Sequence, residues 1–410
     1  MLKEICTISN AEQPDDFVGL RFTSGKPSVV FPRGYRLPTE DDNLRREIIR
    51  LIATINRFSG RHEGENPKNN AEEIDLKMPV QSYQYVIYDF LAHGYYTENE
   101  VRYMENNRGK ISWKRTIQKE QPAINNGNVV YLNFITKVNQ INESSIITRI
   151  HEYCVFESFQ KLGWLFLGKD VKPKKPTIKL NRKAFIGILR KELGKTFNIQ
   201  KKQLFQSMIN IIAQTDEKID DHFNAAFGVY RFEYIWEGLI DYVFGEANKE
   251  DYFPHASWHI IKGSKHESSA LEPDTIMLFN GKTYILDAKY YKYGVTGNPL
   301  HLPGTSSIQK QITYGDYVAE HSVAPSKIYN AFIMPFDCCG EAPYKFVSVG
   351  TVDWINYSPA TEAYKYVLGI LLDTSHVINT FAKHNMSEIE DLSRLIELSA
   401  KEYLTTLYGE

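Results

Sequence analysis

Cysteine is scarce in this chain: Cys6, Cys154, Cys338 and Cys339 are the only four in 410 residues. Their spacing fits neither a disulfide framework nor a CxxC zinc pattern, so neither staple underlies the fold, and a reducing, cytoplasmic compartment is expected. Long apolar runs are missing too. The longest, Tyr366–Leu372, falls far short of the roughly 20 residues that cross a bilayer, so no membrane role is expected. The opening stretch MLKEICTISNAEQPDDF carries acids and no apolar core, so no secretory signal is expected in it. There is no GxxxxGK[ST] phosphate loop, hence no expected nucleotide site within the chain, and no serine or cysteine nucleophile motif. An excess of one charge is absent as well. With 48 Lys+Arg against 50 Asp+Glu, the net charge of −2 excludes a uniformly basic coat for nucleic acid.

What is present is an ordinary folded composition, 42% hydrophobic and 24% charged. A single core rarely grows beyond about 250–300 residues, so two domains are expected. The segment Gly168–Arg182, with its prolines and lysines, marks a break, giving domains over residues 1–170 and 180–410. In the first, FVGLRF and SVVF flank a Ser24-Gly25-Lys26-Pro27 turn, and Leu44–Phe58 shows a helical apolar face. A second helix over Tyr83–Leu91, a third opening at Thr97, and strands ISWKRTI and NVVYLNFI predict a winged-helix-like α+β module. Arg108, Lys110, Lys114 and Arg115 cluster around Trp113 on its basic hairpin, a pattern that suits DNA contact as well as a solvated surface. From Lys169 to Lys202, Lys174 and Lys175 among them, twelve basic residues face two acids, again a linker or a phosphate-facing surface.

The stretch with most chemical content is LEPDTIMLFNGKTYILDAKYY, residues 271–291. Asn280-Gly281 between two strand-like runs is the strongest short hairpin signal. With those two residues as the turn, Asp274 stands opposite Asp287, and Lys289 shares Asp287's face. Directly opposed like charges destabilise a hairpin by themselves. A divalent cation between them removes the repulsion, and Mg²⁺ binds through one or two carboxylates while keeping water. Upstream, Arg231–Phe244 predicts a helix on which Glu233, Glu237 and Asp241 form a line of like charges at four-residue steps. Ser307–Glu320 predicts another, downstream.

The pattern Pro273-Asp274 followed by Asp287-Ala288-Lys289 resembles the PD-(D/E)xK nuclease superfamily. FEYIWE (232–237), YILDAKYY (284–291), IQKQITYG (308–315) and NAFIMPF (330–336) narrow the resemblance to LlaJI-type restriction endonucleases, which are similar to the McrC nuclease subunit. FPRGY (31–35) and GKISWKRTI (109–117) extend it into the first half. The resemblance implies an α/β (α+β) nuclease core, a mixed sheet flanked by helices, in residues 180–410, with residues 1–170 recognising DNA or docking a partner. It implies Mg²⁺, or Mn²⁺ in its place, on Asp274, Asp287 and the Ala288 carbonyl, with Glu237 or Glu233 as a further acid. It assigns Lys289 to the attacking water, and Lys310 and Gln311 to the substrate phosphate. His255, His259 and His266 precede the hairpin and suit DNA contact as well as ordinary loop positions, whereas His151 and Cys154, lacking a second ligand pair, read as packing.

The implied function is site-specific hydrolysis of double-stranded DNA in a restriction–modification system, as a homodimer or larger assembly, with a McrB-like AAA+ GTPase subunit in some systems. The alternatives are a repair or recombination nuclease of the same fold and a non-catalytic docking subunit.

Overall fold

The computed structural model describes residues 2–9, 16–59, 74–75, 78–106, 108–125, 128–142, 145–167, 171–214, 224–261, 263–321, 327–338, 345–354 and 362–408. The chain divides into two compact units, one made of Met1–Lys77 with His222–Glu410 and the other of Met78–Asp221. The expected bounds of 1–170 and 180–410 are therefore corrected: the first 77 residues belong with the C-terminal half, and the second unit is an insertion. The physical reason is strand pairing across the insertion, described next.

The chain opens with β1 (Cys6–Ile8), β2 (Val18–Thr23), β3 (Lys26–Phe31), α1 (Asp41–Phe58) and β4 (Ile74–Asp75). Ser24 and Gly25 take positive φ of 50° and 75°, the turn that matches the twist of paired strands, and β2 and β3 form the expected hairpin. After the insertion, β10 (Ala225–Val229) pairs antiparallel with β2, from Ala225 opposite Phe22 to Val229 opposite Val18. The sheet order is β1-β3-β2-β10-β4, so this layer exists only when both ends of the chain contribute.

The inserted unit begins with α2 (Val80–His93), followed by β5 (Glu98–Glu105), β6 (Lys110–Ile111), α3 (Trp113–Lys119), β7 (Ala123–Asn125), β8 (Asn128–Val130) and β9 (Ile135–Asn142). It closes with α4 (Ile146–Phe166), α5 (Arg182–Lys195) and α6 (Ile199–Gln214). The order expected for a winged-helix-like module does not form. Residues from Glu98 make a strand rather than a helix, because β5 pairs with β9 along its whole length. ISWKRTI is largely helix α3, anchored by buried Thr116, whose Oγ1 accepts from the Ile135 N–H at 3.0 Å. Helix α4 is buried over most of its circumference and is capped by Ser145, whose side chain accepts from the Thr148 N–H.

In the first unit the chain continues through α7 (Phe232–Phe244), β11 (Ser257–His259), β12 (Lys265–Glu267), β13 (Thr275–Phe279) and β14 (Lys282–Ala288). Then come α8 (Tyr293–Thr296), α9 (Thr305–His321), β15 (Ile328–Phe336), β16 (Phe346–Val352), β17 (Val367–Asp373), α10 (Thr374–Thr380) and α11 (Met386–Tyr408). The second sheet has order β13-β14-β15-β17-β16, with β14, β15 and β17 parallel and both outer strands antiparallel. Every residue of β15 is buried, as an inner parallel strand covered on both faces requires. Helices α7, α9 and α11 pack on this sheet, completing the expected α+β class. Cys6, Cys154 and Cys338 are buried free thiols, and Cys339 lies outside the described residues. No helix among the described residues is long and apolar enough to cross a membrane.

Candidate active site

Asn280 and Gly281 have φ of 49° and 71°, the left-handed pair expected of an Asn-Gly turn, and Phe279 stands opposite Lys282. The ladder then runs to Thr275 opposite Leu286. Asp274, the residue just before β13, lies beside Asp287, the two carboxyls close enough to share a hydrogen bond. Asp287 is 3% exposed. Its carboxylate accepts from the Lys289 ammonium at 2.9 and 3.1 Å. Asp274 Oδ2 accepts from the Ala288 N–H at 2.9 Å, so the same stretch of β14 anchors both carboxylates.

By strand alternation Asp287 and Lys289 share the face of Ile285, which packs with Tyr314 and Val318 of α9. The Tyr314 hydroxyl donates to the Glu272 carbonyl at 2.9 Å, fixing the turn that carries Pro273-Asp274. Burial, and then the Asp274 and Asp287 carboxylates, push the Tyr314 phenol above its ordinary range.

A cleft of about 670 Å³ opens beside this corner, with Glu237 and Tyr234 of α7, Lys249, Asp274 and Lys310 in its wall. Burial raises the Glu237 carboxyl to about 7; Glu233 and Asp287 add to the shift, while Lys289 and Arg231 oppose it. Asp274 lies well above the carboxylate range, from burial and then from Asp287 and Glu237. Burial works against the charged form of Lys289, yet Asp287, Asp274 and Glu237 raise its pKa. Three carboxyls thus crowd one ammonium away from water, and burial with their mutual repulsion favours the neutral forms of Asp274 and Glu237.

The residues expected from sequence separate into groups. Asp274, Asp287, Ala288, Lys289 and Glu237 come together. Glu233 is turned to Arg231, whose Nε donates to its Oε1 at 2.7 Å. Lys310 lies in the cleft wall, its ammonium 5.5 Å from the Tyr314 ring centroid. Gln311 is corrected: it is 1% exposed, and its Nε2 donates to the Ile285 carbonyl at 2.7 Å, so it braces β14 instead of reaching a phosphate.

The basic residues of the insertion lie apart from one another in structural role. Arg108 precedes β6 and Lys110 opens it, while Lys114 and Arg115 are on α3, where the Arg115 guanidinium sits 3.9 Å from the Tyr103 ring centroid. The expected basic wing of paired strands is therefore half helix. Lys174 and Lys175 are exposed in the segment before α5.

Two contributors were not anticipated. Lys249 donates to Asp241 Oδ1 at 2.9 Å and to the Asp274 carbonyl at 2.6 Å, tying α7 to the Asp274 turn. It sits in a polar stretch with no periodic signal. Arg33, in FPRGY, donates through its backbone N–H to the Tyr290 hydroxyl at 2.7 Å and through its side chain to the Tyr290 carbonyl at 3.3 Å and Asp16 at 2.9 Å. Tyr290 follows Lys289 directly, so the N-terminal motif holds the end of the site strand.

The donor set suits a hard cation in part. Asp274 and Asp287 are neighbouring oxygen donors whose repulsion helps to raise Asp274 above the carboxylate range, a repulsion that a hard cation such as Mg²⁺, bound by two carboxylates and water, would relieve. Among the described residues, however, no group of three His, Cys, Asp or Glu side chains converges to hold an ion. Glu237 shares the electrostatics of the pair without closing a cage around it.

An α+β unit with a paired-carboxylate corner beside a cleft is a frame for hydrolytic chemistry, and comparison with known proteins narrows it. The model of the LlaJI restriction endonuclease family matches residues 17–365, and the chain belongs to that family. A component of a type II restriction enzyme, BsuMI component YdjA of Bacillus subtilis (strain 168), is 24% identical over 377 residues, 86% of this chain and 80% of that protein. Among solved structures, the chain is similar at 15% identity to one of Thermococcus gammatolerans McrB AAA+ hexamers with bound McrC, with a TM-score of 0.39 over 93% of this chain and 83% of that one.

Proposed function

We propose that this chain is the nuclease of a restriction system, hydrolysing phosphodiester bonds of double-stranded DNA at a specific site with Mg²⁺ and a PD-(D/E)xK catalytic corner. The observation that carries this reading is the closeness of the Asp274 and Asp287 carboxyls, Asp274 held by the Ala288 N–H and Asp287 bonded to Lys289. In this reading Asp274, Asp287 and the Ala288 carbonyl hold the ion, with Glu237 as an outer acid. Bound Mg²⁺ would polarise the phosphate and lower the pKa of its water. Lys289 would orient the attacking water and stabilise charge developing on the phosphate. Lys310, in the cleft wall, would meet a non-bridging oxygen.

What supports a role as one part of a larger enzyme is the description of the B. subtilis relative as a component. A McrB-like GTPase subunit, with this chain dimeric or larger on DNA, extends the family resemblance. The inserted unit, with its exposed Lys174 and Lys175 and the cations of α5 and α6, would supply contacts to the DNA backbone.

The test is plasmid cleavage by the purified chain with Mg²⁺, with Mn²⁺ and with chelator, alongside Asp287→Ala. The expected result is metal-dependent cutting that the substitution abolishes while DNA binding persists. Equal cutting by Asp287→Ala overturns the assignment.

A further inference from the structure

Between α7 and the site hairpin the chain makes a second, smaller ribbon. Strands β11 and β12 pair Ser257 with Glu267, Trp258 with His266 and His259 with Lys265, and among the described residues they join no other sheet. All six residues are exposed. Below them the pairing continues, with the Ser268 N–H donating to the Ala256 carbonyl at 2.8 Å and the Leu271 N–H to the Pro254 carbonyl at 2.9 Å. Ser269 to Asp274 then form part of the wall of the cleft. The ribbon is therefore rooted in the rim of the candidate site through hydrogen-bonded backbone.

Its tip is apolar. Trp258 is 68% exposed and Ile261 91%, with Ile260 also open to solvent. A two-stranded ribbon is marginal by itself, and large apolar groups at its end gain nothing in water. Alternation gives it two faces. Trp258, its cross-strand partner His266, and Ile260 lie on one; His259, Lys265, Ser257 and Glu267 lie on the other, where Lys265 pairs with Glu267 at 3.1 Å. A ribbon of this width enters the major groove, where an indole or an isoleucine makes apolar contact with base edges and thymine methyls, and imidazole and ammonium groups meet base edges and phosphates.

We propose that the β11–β12 ribbon is a DNA-reading arm that enters the duplex beside the scissile phosphate, with Trp258 and Ile261 as its principal contacts. The inference rests on the nuclease reading of the adjoining cleft. Root and tip argue for the same occupant: the ribbon grows from the wall that would receive the phosphodiester, and its side chains are those that contact bases.

The experiment uses the full chain in chelator, where nothing is cut. Binding to a fluorescent duplex of about 30 base pairs is titrated for the wild type, Trp258→Ala, Trp258→Phe and Ile261→Ser. Loss of one such contact should weaken Kd by about five- to a hundredfold in Trp258→Ala, with Trp258→Phe retaining most of the affinity. Unchanged melting temperatures are expected for exposed positions. Unaltered Kd in both Trp258→Ala and Ile261→Ser overturns the proposal, as does a wild type that binds no duplex. A drop in affinity that follows loss of self-association in analytical ultracentrifugation also overturns it, because the ribbon then joins copies of the chain. Failure of the nuclease reading shows separately, as equal plasmid cutting by Asp287→Ala while the Trp258 effect on binding stands.

Discussion

At the scale of single residues, the site depends on groups that share charge. Lys249 joins Asp241 of α7 to the carbonyl of Asp274. Replacing it with Met removes two charge-assisted bonds and frees the turn that aims Asp274. Bonds to charged groups are worth about 1.5–3 kcal/mol each. Cleavage by Lys249→Met should fall roughly tenfold to a hundredfold in kcat with a smaller change in KM, since the loss is of alignment. Steady-state kinetics on a plasmid substrate checks this. In the inserted unit His151 is wholly buried, its Nδ1 accepts from the Tyr96 N–H at 2.9 Å, and its Nε2 has no hydrogen-bond partner among the described residues. Burial lowers its pKa from 6.5 to about 4. The unfolded chain therefore takes up a proton that the folded one refuses between these values. Stability from this residue is complete above pH 6.5 and is lost as the pH falls toward 4, by roughly 3 kcal/mol in all. Urea unfolding from pH 7 to 4.5 should show that slope, and a flatter one in His151→Gln. The carboxylate pair was legible from sequence because turn type and alternation together specify which residues oppose. Gln311 was misread: a polar residue at a helix start carries no local sign of the buried Ile285 carbonyl that claims it.

At the scale of elements, local pattern decided the hairpins and long helices, and partners decided the rest. Asn280-Gly281 and Ser24-Gly25 allow the positive φ their turns need, so those two hairpins form where expected. β5 and α3 were exchanged in kind because pairing with β9 overrides the weak preferences of short polar segments. Gly34 illustrates a demand that no periodicity reveals. Its φ is +69°, and a Cβ there would lie 2.7 Å from the Phe336 carbonyl carbon and 2.8 Å from Thr374 Oγ1. Gly34→Ala must adopt a strained backbone and also push β15 away from the Arg33 turn, at a cost of about 2–4 kcal/mol. Denaturant unfolding should give a lower midpoint of that order, with plasmid cutting reduced because Arg33 positions Tyr290 beside Lys289.

At the scale of the whole molecule, the unit carrying the site is built from both ends of the sequence. A chain of residues 180–410 lacks β1–β3, leaving β10 without β2 and Tyr290 without Arg33. It should aggregate through the open edge of β10, whereas residues 78–221, which have their own core of helices, should unfold cooperatively by themselves. Size-exclusion chromatography and thermal circular dichroism of the two fragments test this. By itself the sequence determined what depends on near neighbours: the hairpin turns, and through a two-residue period the meeting of Asp274 and Asp287. Only the tertiary structure decided that residues 1–77 belong beside 222–410, that Lys249 and Arg33 brace the site, and that Gln311 is spent on the backbone. Those contacts join residues up to 257 positions apart, and the free energy that selects them comes from pairing and burial between segments, which no local pattern encodes.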